Sequence, residues 1–145
     1  MDNFQEIILR SAVLAMAIDG EIHEKEIEYL NNYINNNINF FIEEIEIYID
    51  KIVNEFNENK NEYLNQYNNS ILVLSLSKSQ KLQLLDIVIE IVQSDGKTDE
   101  KEIEFINNIL KILKLDSKFL ISRYPQYINI FLSTQKSDIN KFLPN

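Results

Sequence analysis

The chain has 145 residues, no cysteine, one histidine and a formal net charge of -9. A chain of this length can bury roughly two-thirds of its unfolded surface, so one domain with its own core is expected. The lack of cysteine excludes disulfides, thiolate catalysis and zinc-thiolate sites. The acidic balance argues against binding to nucleic acid or to anionic membranes, and favours cations or a basic partner protein.

The first residues could be mistaken for a secretory signal, because residues 15–17, Ala-Met-Ala, follow an apolar run. However, Asp2 and Glu6 make the leading region acidic and Arg10 interrupts the apolar run, which is wrong for a signal peptide. No apolar run reaches about 18 residues, so no membrane insertion is expected. We therefore expect a soluble, cytoplasmic protein.

The first part of the chain predicts helices, since two glycines and two prolines leave few breakers in the whole sequence. The first helix carries apolar side chains on several faces and is predicted to be central, and Gly20 can adopt the left-handed conformation that ends it. Ile45, Ile47 and Ile49 alternate as in a strand, but the longer helical pattern around them outweighs this. Three helices are predicted here, over about residues 2–18, 24–35 and 40–57.

The second part of the chain contains the other strongly apolar helix. Residues 59–76 suit a helix, although 71–76 could be locally extended. Ser77, with Gln80 three residues later, has the spacing of a capping box. The helix that follows is apolar nearly all round and is predicted to be the second central helix. Helices are predicted over about residues 78–94, 100–113 and 117–123, the last one capped by Asp116 and stopped by Pro125, with a short helix and tail beyond.

One segment occurs twice in the chain. Shifted by 76 positions, residues 19–32 align without a gap on residues 95–108, and nine of the fourteen pairs are identical. Each segment follows an apolar helix, so we infer an internal duplication of a helix–Asp-Gly-turn–helix unit, with the two apolar helices side by side. The predicted fold class is all-α: a single compact domain of about seven helices over residues 1–145, with repeat cores at about 4–35 and 80–113 and a C-terminal helix and tail at 117–145.

This repeated unit resembles the TerB-like tellurite-resistance family and its relatives, among them the N-terminal domain of DjlA-type membrane co-chaperones. The resemblance covers about residues 4–120 and is most specific at the two turns. It implies a TerB-like helical fold, a role in bacterial stress or tellurite resistance, and acidic turns suspected of metal binding. The positions that match the motif are Asp19, Gly20 and Glu26 in the first copy and Asp95, Gly96 and Glu102 in the second. The family often has a small hydroxyl residue or Asp before the second helix, so Asp99 fits this pattern and His23 departs from it.

The acidic turns have a purely structural interpretation. Asp99 and Glu102 have capping-box spacing, and Asp19 and Asp95 suit tight turns stabilised through their own backbone. Carboxylates in the first turn of a helix are also favoured by the helix dipole. This interpretation needs no ligand, and it leaves Gly20 and Gly96 as structural turn residues.

The alternative interpretation is divalent-cation binding. Calcium takes about 6–8 oxygen ligands, and Ca, Mg or Mn would each be served by carboxylates. Asp19 with Glu26, and Asp95 with Glu102 and Asp99, can supply part of such a shell. Residues 19–26 match the second half of an EF-hand loop, but Ala15 and Ala17 stand where its first half needs Asp, so the predicted site is incomplete.

The sequence favours a protein that is not an enzyme. It has no Gly-rich phosphate loop, serine–histidine arrangement or zinc signature. The first hypothesis is a TerB-like protein that binds a divalent cation, a protein, or both at its acidic turns. The alternative is an acidic interaction module, such as an adaptor, inhibitor or immunity-type protein, whose acidic face masks a basic partner and whose turns are purely structural.

The predicted central helices also carry charged residues, Arg10 on the first and Asp86 and Glu90 on the second. Asp86 aligns with Arg10 in the repeat, and the two could meet as a salt bridge between these helices. A solvent-facing stripe is the alternative for Asp86 and Glu90, because small domains rarely bury every face of a helix.

Overall fold

The computed structural model describes residues 2–37, 42–94, 96 and 98–125. Within these ranges the chain forms seven helices and no strand, which confirms the all-α prediction. The helices are α1 (Asn3–Ala17), α2 (Glu24–Asn37), α3 (Ile42–Glu58), α4 (Lys60–Leu74), α5 (Lys78–Gln93), α6 (Glu100–Leu113) and α7 (Ser117–Arg123). The short helix and tail predicted beyond Pro125 lie outside the described residues.

The starts of α5 and α7, which the sequence predicted from their capping residues, are confirmed. Ser77 and Gln80 form a full capping box at α5: the Gln80 N–H donates to Ser77 Oγ at 3.2 Å and the Ser77 N–H donates to Gln80 Oε1 at 3.0 Å. At α7 the Asp116 carboxylate accepts from the Lys118 N–H at 2.9 Å. These bonds satisfy backbone donors that have no partner within the helix.

The two places where the sequence also suited a strand are helical. Ile45 is 2% exposed and Ile47 is 72% exposed, although a strand would place both side chains on the same face. In α4 the helix continues to Leu74 and ends at Ser75, which takes a left-handed φ of 49°. The extended alternative for residues 71–76 is therefore wrong, because Ile71 continues the buried face of α4. The other difference is small: α2 ends at Asn37, two residues beyond its predicted end.

The core is built on the two apolar helices that precede the Asp-Gly turns. As predicted, α1 and α5 lie side by side and form the most extensive helix–helix contact of the described chain. Helices α3 and α4 pack on α1, α2 and α6 pack on α5, and α6 also contacts α4. None of the helices in the described ranges has the length and apolar character needed to span a membrane.

The salt bridge considered between the central helices is wrong. Arg10 Nη2 donates instead to Glu6 Oε1, one turn earlier on α1, at 2.9 Å. Asp86 accepts from Arg123 Nη2 at 3.1 Å and from the Tyr124 hydroxyl, so it ties α5 to the end of α7. The sequence could not show this pairing, because it depends on α7 folding back over α5.

Candidate metal centre

The glycines of the two Asp-Gly turns have similar backbone conformations. Gly20 has a φ of +89° and Gly96 a φ of +78°, both in the left-handed region. Each glycine N–H donates to the carbonyl three residues earlier, Ala17 O and Gln93 O respectively, at 3.0 Å in both turns. No atom lies within 4 Å of a Cβ built on either glycine, so the backbone conformation and not a lack of space favours glycine here. The local likeness is clear, while the origin of the two units by duplication stays a prediction.

Asp19 stands in the first turn, two residues beyond the end of α1. Its Oδ1 accepts from the Glu21 N–H at 2.9 Å, which is the backbone bond expected of an aspartate in a tight turn. Its Oδ2 lies 3.9 Å from His23 Nε2, and the Asp19 side chain is 14% exposed. The turn therefore holds the carboxylate in a fixed and largely buried position.

Asp99 and Glu102 form the capping box that the sequence predicted for the second copy. The Glu102 N–H donates to Asp99 Oδ1 at 2.9 Å, and the Asp99 N–H donates to Glu102 Oε1 at 3.0 Å. Glu102 is only 5% exposed, although glutamate is rarely buried without a counter-charge. The capping bonds use one oxygen of each carboxylate. They do not explain why the Glu102 side chain is buried.

The first copy has only half of this box. Glu26 Oε1 accepts from the His23 N–H at 2.8 Å, so the glutamate half is present. The Glu26 N–H, however, donates to the backbone carbonyl of His23 at 3.1 Å. Glu26 is even more buried than Glu102, at 2% exposed.

Three of the predicted ligands meet, and they come from both turns. Asp19, Asp99 and Glu102 each place a carboxylate oxygen within 4.8 Å of the other two, and we call this group the carboxylate cluster. Because Asp19 follows α1 and Asp99 follows α5, the C-terminal ends of the central helices lie at the same end of the domain. Glu26 is not one of the three, and Asp95 lies outside the described residues. The sequence grouped the ligands within each turn, whereas the structure groups them across the turns.

The carboxylates of Asp19 and Asp99 repel the carboxylate of Glu102. Burial, together with the neighbouring carboxylates of Asp99, Asp19 and Glu26, raises the pKa of Glu102 to about 7, against a lowering by the hydrogen bond from the Asp99 N–H. The Glu102 carboxyl is therefore near the midpoint of its titration at neutral pH. A proton or a cation placed among these oxygens would relieve the repulsion.

The three oxygens of the carboxylate cluster could hold a hard divalent cation. Calcium–oxygen distances of about 2.3–2.6 Å place ligands on opposite sides of the ion about 5 Å apart, and magnesium places them about 4 Å apart. Three carboxylate oxygens within 4.8 Å of one another match that range. The donors are all oxygens, which suits Ca, Mg or Mn and does not suit soft metals. The remaining ligands would be water or backbone carbonyls.

The fold and the cluster together define a class: all-helical proteins with two acidic Asp-Gly turns that meet at one end of the domain. The chain matches the family described as "Tellurite resistance protein TerB" over residues 7–122. That match covers most of the chain, and the protein belongs to the TerB family. The resemblance seen at the two turns is thereby confirmed.

Two curated proteins are also similar in sequence. They are the UvrABC system protein C of Borrelia duttonii (strain Ly) and of Borrelia recurrentis (strain A1). Each is 26% identical over 142 residues, covering 83% of this chain and 24% of the relative. The chain thus spans about a quarter of the length of these relatives, 24%, and the likeness assigns it no activity. No solved structure matches the chain significantly.

Proposed function

We propose that this TerB-family protein works by binding and not by turnover, and that it binds one divalent cation, Ca, Mg or Mn, at the carboxylate cluster. The observation that carries the proposal is the meeting of Asp19, Asp99 and Glu102 within 4.8 Å, although they come from turns far apart in the sequence. The family supports a setting in bacterial stress or tellurite resistance.

Burial is what separates this cluster from an ordinary acidic surface. Exposed carboxylates repel one another weakly, because water screens them. Here Glu102 is 5% exposed and the Asp19 side chain is 14% exposed, so the repulsion between these two is screened less, while Asp99 is exposed to solvent. A bound cation would replace that repulsion with attraction, and its binding energy would stabilise the contact between the two turns.

The cluster would also transmit the binding of an ion to a larger surface. Asp99 caps α6 and Glu102 belongs to its first turn, while Asp19 lies in the turn that connects α1 to α2. A cation that draws these carboxylates together would fix α2 and α6 relative to each other. In this proposal the protein partner would recognise the fixed arrangement, so that cation and partner binding are coupled.

The alternative function is an acidic interaction module without a metal. It is favoured by the backbone bond that each cluster carboxylate makes, since Asp19 accepts from Glu21, and Asp99 and Glu102 accept from each other's N–H. Turn and cap formation alone accounts for these bonds. The net charge of -9 would then serve to bind a basic partner.

The deciding experiment is calorimetric titration of metal-stripped protein with Ca, Mg or Mn, accompanied by thermal melts. The test variant is Asp19→Asn, which keeps an oxygen for the Glu21 N–H and loses the charge. The matched control is Glu100→Gln, which removes the same charge from an exposed residue in the first turn of α6, outside the cluster.

A cation at 100 times its dissociation constant adds about 2.7 kcal/mol of stability, enough to raise Tm by several degrees. We expect one-site binding in the wild type and in Glu100→Gln, and at least tenfold weaker binding in Asp19→Asn. If no cation binds or raises Tm, the cation proposal fails. A salt-sensitive complex with a basic protein, formed equally well in chelator, would then favour the interaction module.

A further inference from the structure

The end of the domain opposite the Asp-Gly turns carries a pocket with an apolar and cationic lining. It has a volume of about 230 Å³ and lies between the C-terminal ends of α4 and α6 and the start of α5. Leu72, Leu76 and Ile112 supply apolar surface, and Lys81 and Lys114 supply charge. We call these five residues the lysine patch. The volume is below the range of about 300–1,000 Å³ that is typical of small-molecule sites, so the patch suits side chains of a protein partner better.

The apolar part of the lysine patch is open to solvent. Leu72 is 55% exposed, and Leu76 and Ile112 are half-buried. Neighbouring exposed apolar side chains on a soluble domain are typical of an interaction surface. Their removal from water favours association with a partner.

Lysines are concentrated around this pocket. Residues 78–81 and 111–118 contain five lysines and one acidic residue, Asp116, which caps α7. The lysines are Lys78, Lys81, Lys111, Lys114 and Lys118. Lys81 lies in the first turn of α5, where a cation opposes the helix dipole. Helix stability therefore does not explain its position.

The positive charge of the lysine patch is not neutralised by its surroundings. Among the described residues, no acidic side chain lines this pocket. Glu6 of α1 stands at the same end of the domain, but it lines a different pocket together with Val73 and is paired with Arg10 at 2.9 Å. Because Leu72 and Val73 are adjacent in a helix, they point to different sides of α4. Helix α4 thus separates Glu6 from the lysines.

The end of the domain at the Asp-Gly turns presents the complementary pattern. Around the first turn and the starts of α2 and α6, six exposed carboxylates stand against two exposed lysines, Lys25 and Lys101. The six carboxylates, which we call the acidic patch, are those of Glu21, Glu24, Glu28, Asp99, Glu100 and Glu104. Ile22 and Ile27 lie among them, at 37% and 36% exposed. Apolar side chains bordered by carboxylates at this end match apolar side chains bordered by lysines at the other.

We propose that the lysine patch of one molecule binds the acidic patch of a second copy of this chain. The two patches lie about 20 Å apart along α5 and α6, so each molecule can bind one neighbour at each end. Such a head-to-tail contact extends into a chain of molecules unless it closes into a ring. At physiological salt, charges more than about 8 Å apart are largely screened, so the facing patches outweigh the overall repulsion between two molecules of net charge -9. The contact requires no bound cation.

The test is sedimentation velocity over a range of protein concentrations, in the presence of a chelator so that the result is independent of metal. One variant, Lys81→Glu/Lys114→Glu, loses the lysine patch. The other, Glu21→Gln/Glu24→Gln/Glu100→Gln, weakens the acidic patch and keeps all three carboxylates of the carboxylate cluster.

We expect the wild type to associate as its concentration rises, and each variant alone to associate at least about tenfold more weakly. In an equimolar mixture, the intact acidic patch of the first variant meets the intact lysine patch of the second. Association should therefore return in the mixture and stop at the dimer, because the two remaining ends are both altered. The control Lys51→Glu reverses an exposed charge on α3, away from both patches, and should associate like the wild type.

Circular dichroism confirms the folding of each variant, and high salt tests the unaltered protein, in which screening should weaken the association. The proposal is overturned if the wild type stays monomeric up to about 1 mM, or if its association is unchanged in high salt. It is also overturned if Lys51→Glu weakens association as much as Lys81→Glu/Lys114→Glu does. Failure of the two variants to associate when mixed would show a symmetric contact, in which one patch meets itself, and would overturn it as well.

Discussion

The two acidic turns are alike at their glycines and differ in the polar side chains that cap the following helix. Gly20 and Gly96 have nearly the same φ, +89° and +78°, and both turns close with a 3.0 Å bond. The second turn completes its capping box with Asp99, while the first has His23 at that position and only the glutamate half. The comparison shows that the glycine conformation recurs in both turns, while only the second turn leads into a full capping box.

The largest expected effect concerns Glu102, whose pKa burial raises from 4.5 to about 7. The native state then holds the proton more tightly than the unfolded state does, so the stability from this group is complete below about pH 4.5 and is lost as the pH rises to about 7. The shift corresponds to a loss on the order of 3 kcal/mol. In metal-free buffer we expect Glu102→Gln to abolish this part of the decline, measured by urea unfolding at pH 5 and pH 8.

A saturating cation should reverse the effect of Glu102→Gln on stability at pH 8. Because Gln cannot supply a charged ligand, we expect wild type to become the more stable of the two at pH 8 with Mn. Glu100→Gln serves as the exposed control and should follow wild type throughout. Equal pH dependence in Glu102→Gln and wild type would show that the Glu102 carboxyl is not held in its neutral form.

The next effect tests whether the two turns are equivalent in their backbone. Gly20→Ala and Gly96→Ala each force a side chain into a left-handed conformation, at about 1–2 kcal/mol. No neighbouring atom lies within 4 Å of either added Cβ, so we expect the two losses to agree within about 0.5 kcal/mol in thermal or urea unfolding. Asn tolerates this conformation and should cost less at both positions. Clearly unequal losses would mean that the turns differ in more than their side chains.

The smallest expected effect on stability comes from exchanging the residue before the second helix of each unit, which is His23 in the first copy and Asp99 in the second. Asp99→His should remove half of the box at α6 and cost about 1 kcal/mol. In saturating Mn, His23→Asp should complete the box at α2 and add about 0.5–1 kcal/mol of stability, measured by thermal melts. The cation matters to this comparison, because a further carboxylate near Asp19 is repelled without it. A loss of stability in His23→Asp under Mn would contradict the role given to the cap.

Much of the fold could be predicted because local signals agreed with one another. The capping spacing of Ser77 and Gln80 set the start of α5, and the unbroken apolar character of α1 and α5 placed them at the centre. The region around Ile71 was ambiguous, since a short apolar run suits a buried strand or a buried helix equally well.

The sequence could predict which residues belong to the candidate site, but it could not predict that residues from both turns meet there. Asp19, Asp99 and Glu102 were all recognised from the repeat, yet the sequence does not state whether α1 and α5 run in the same or in opposite directions. Only the same direction brings the two turns together. The partner of Asp86 was missed for a similar reason, because Arg123 is 37 positions away in the sequence.

The contact between Asp19 and Asp99 joins positions that are 80 residues apart. In the unfolded chain, bringing together ends separated by that distance carries an entropic penalty that grows only with the logarithm of the loop length. A chain without cysteine cannot fix such a loop with a disulfide. An ion shared between these carboxylates would be a reversible cross-link, and its strength would follow the concentration of the free ion around the protein.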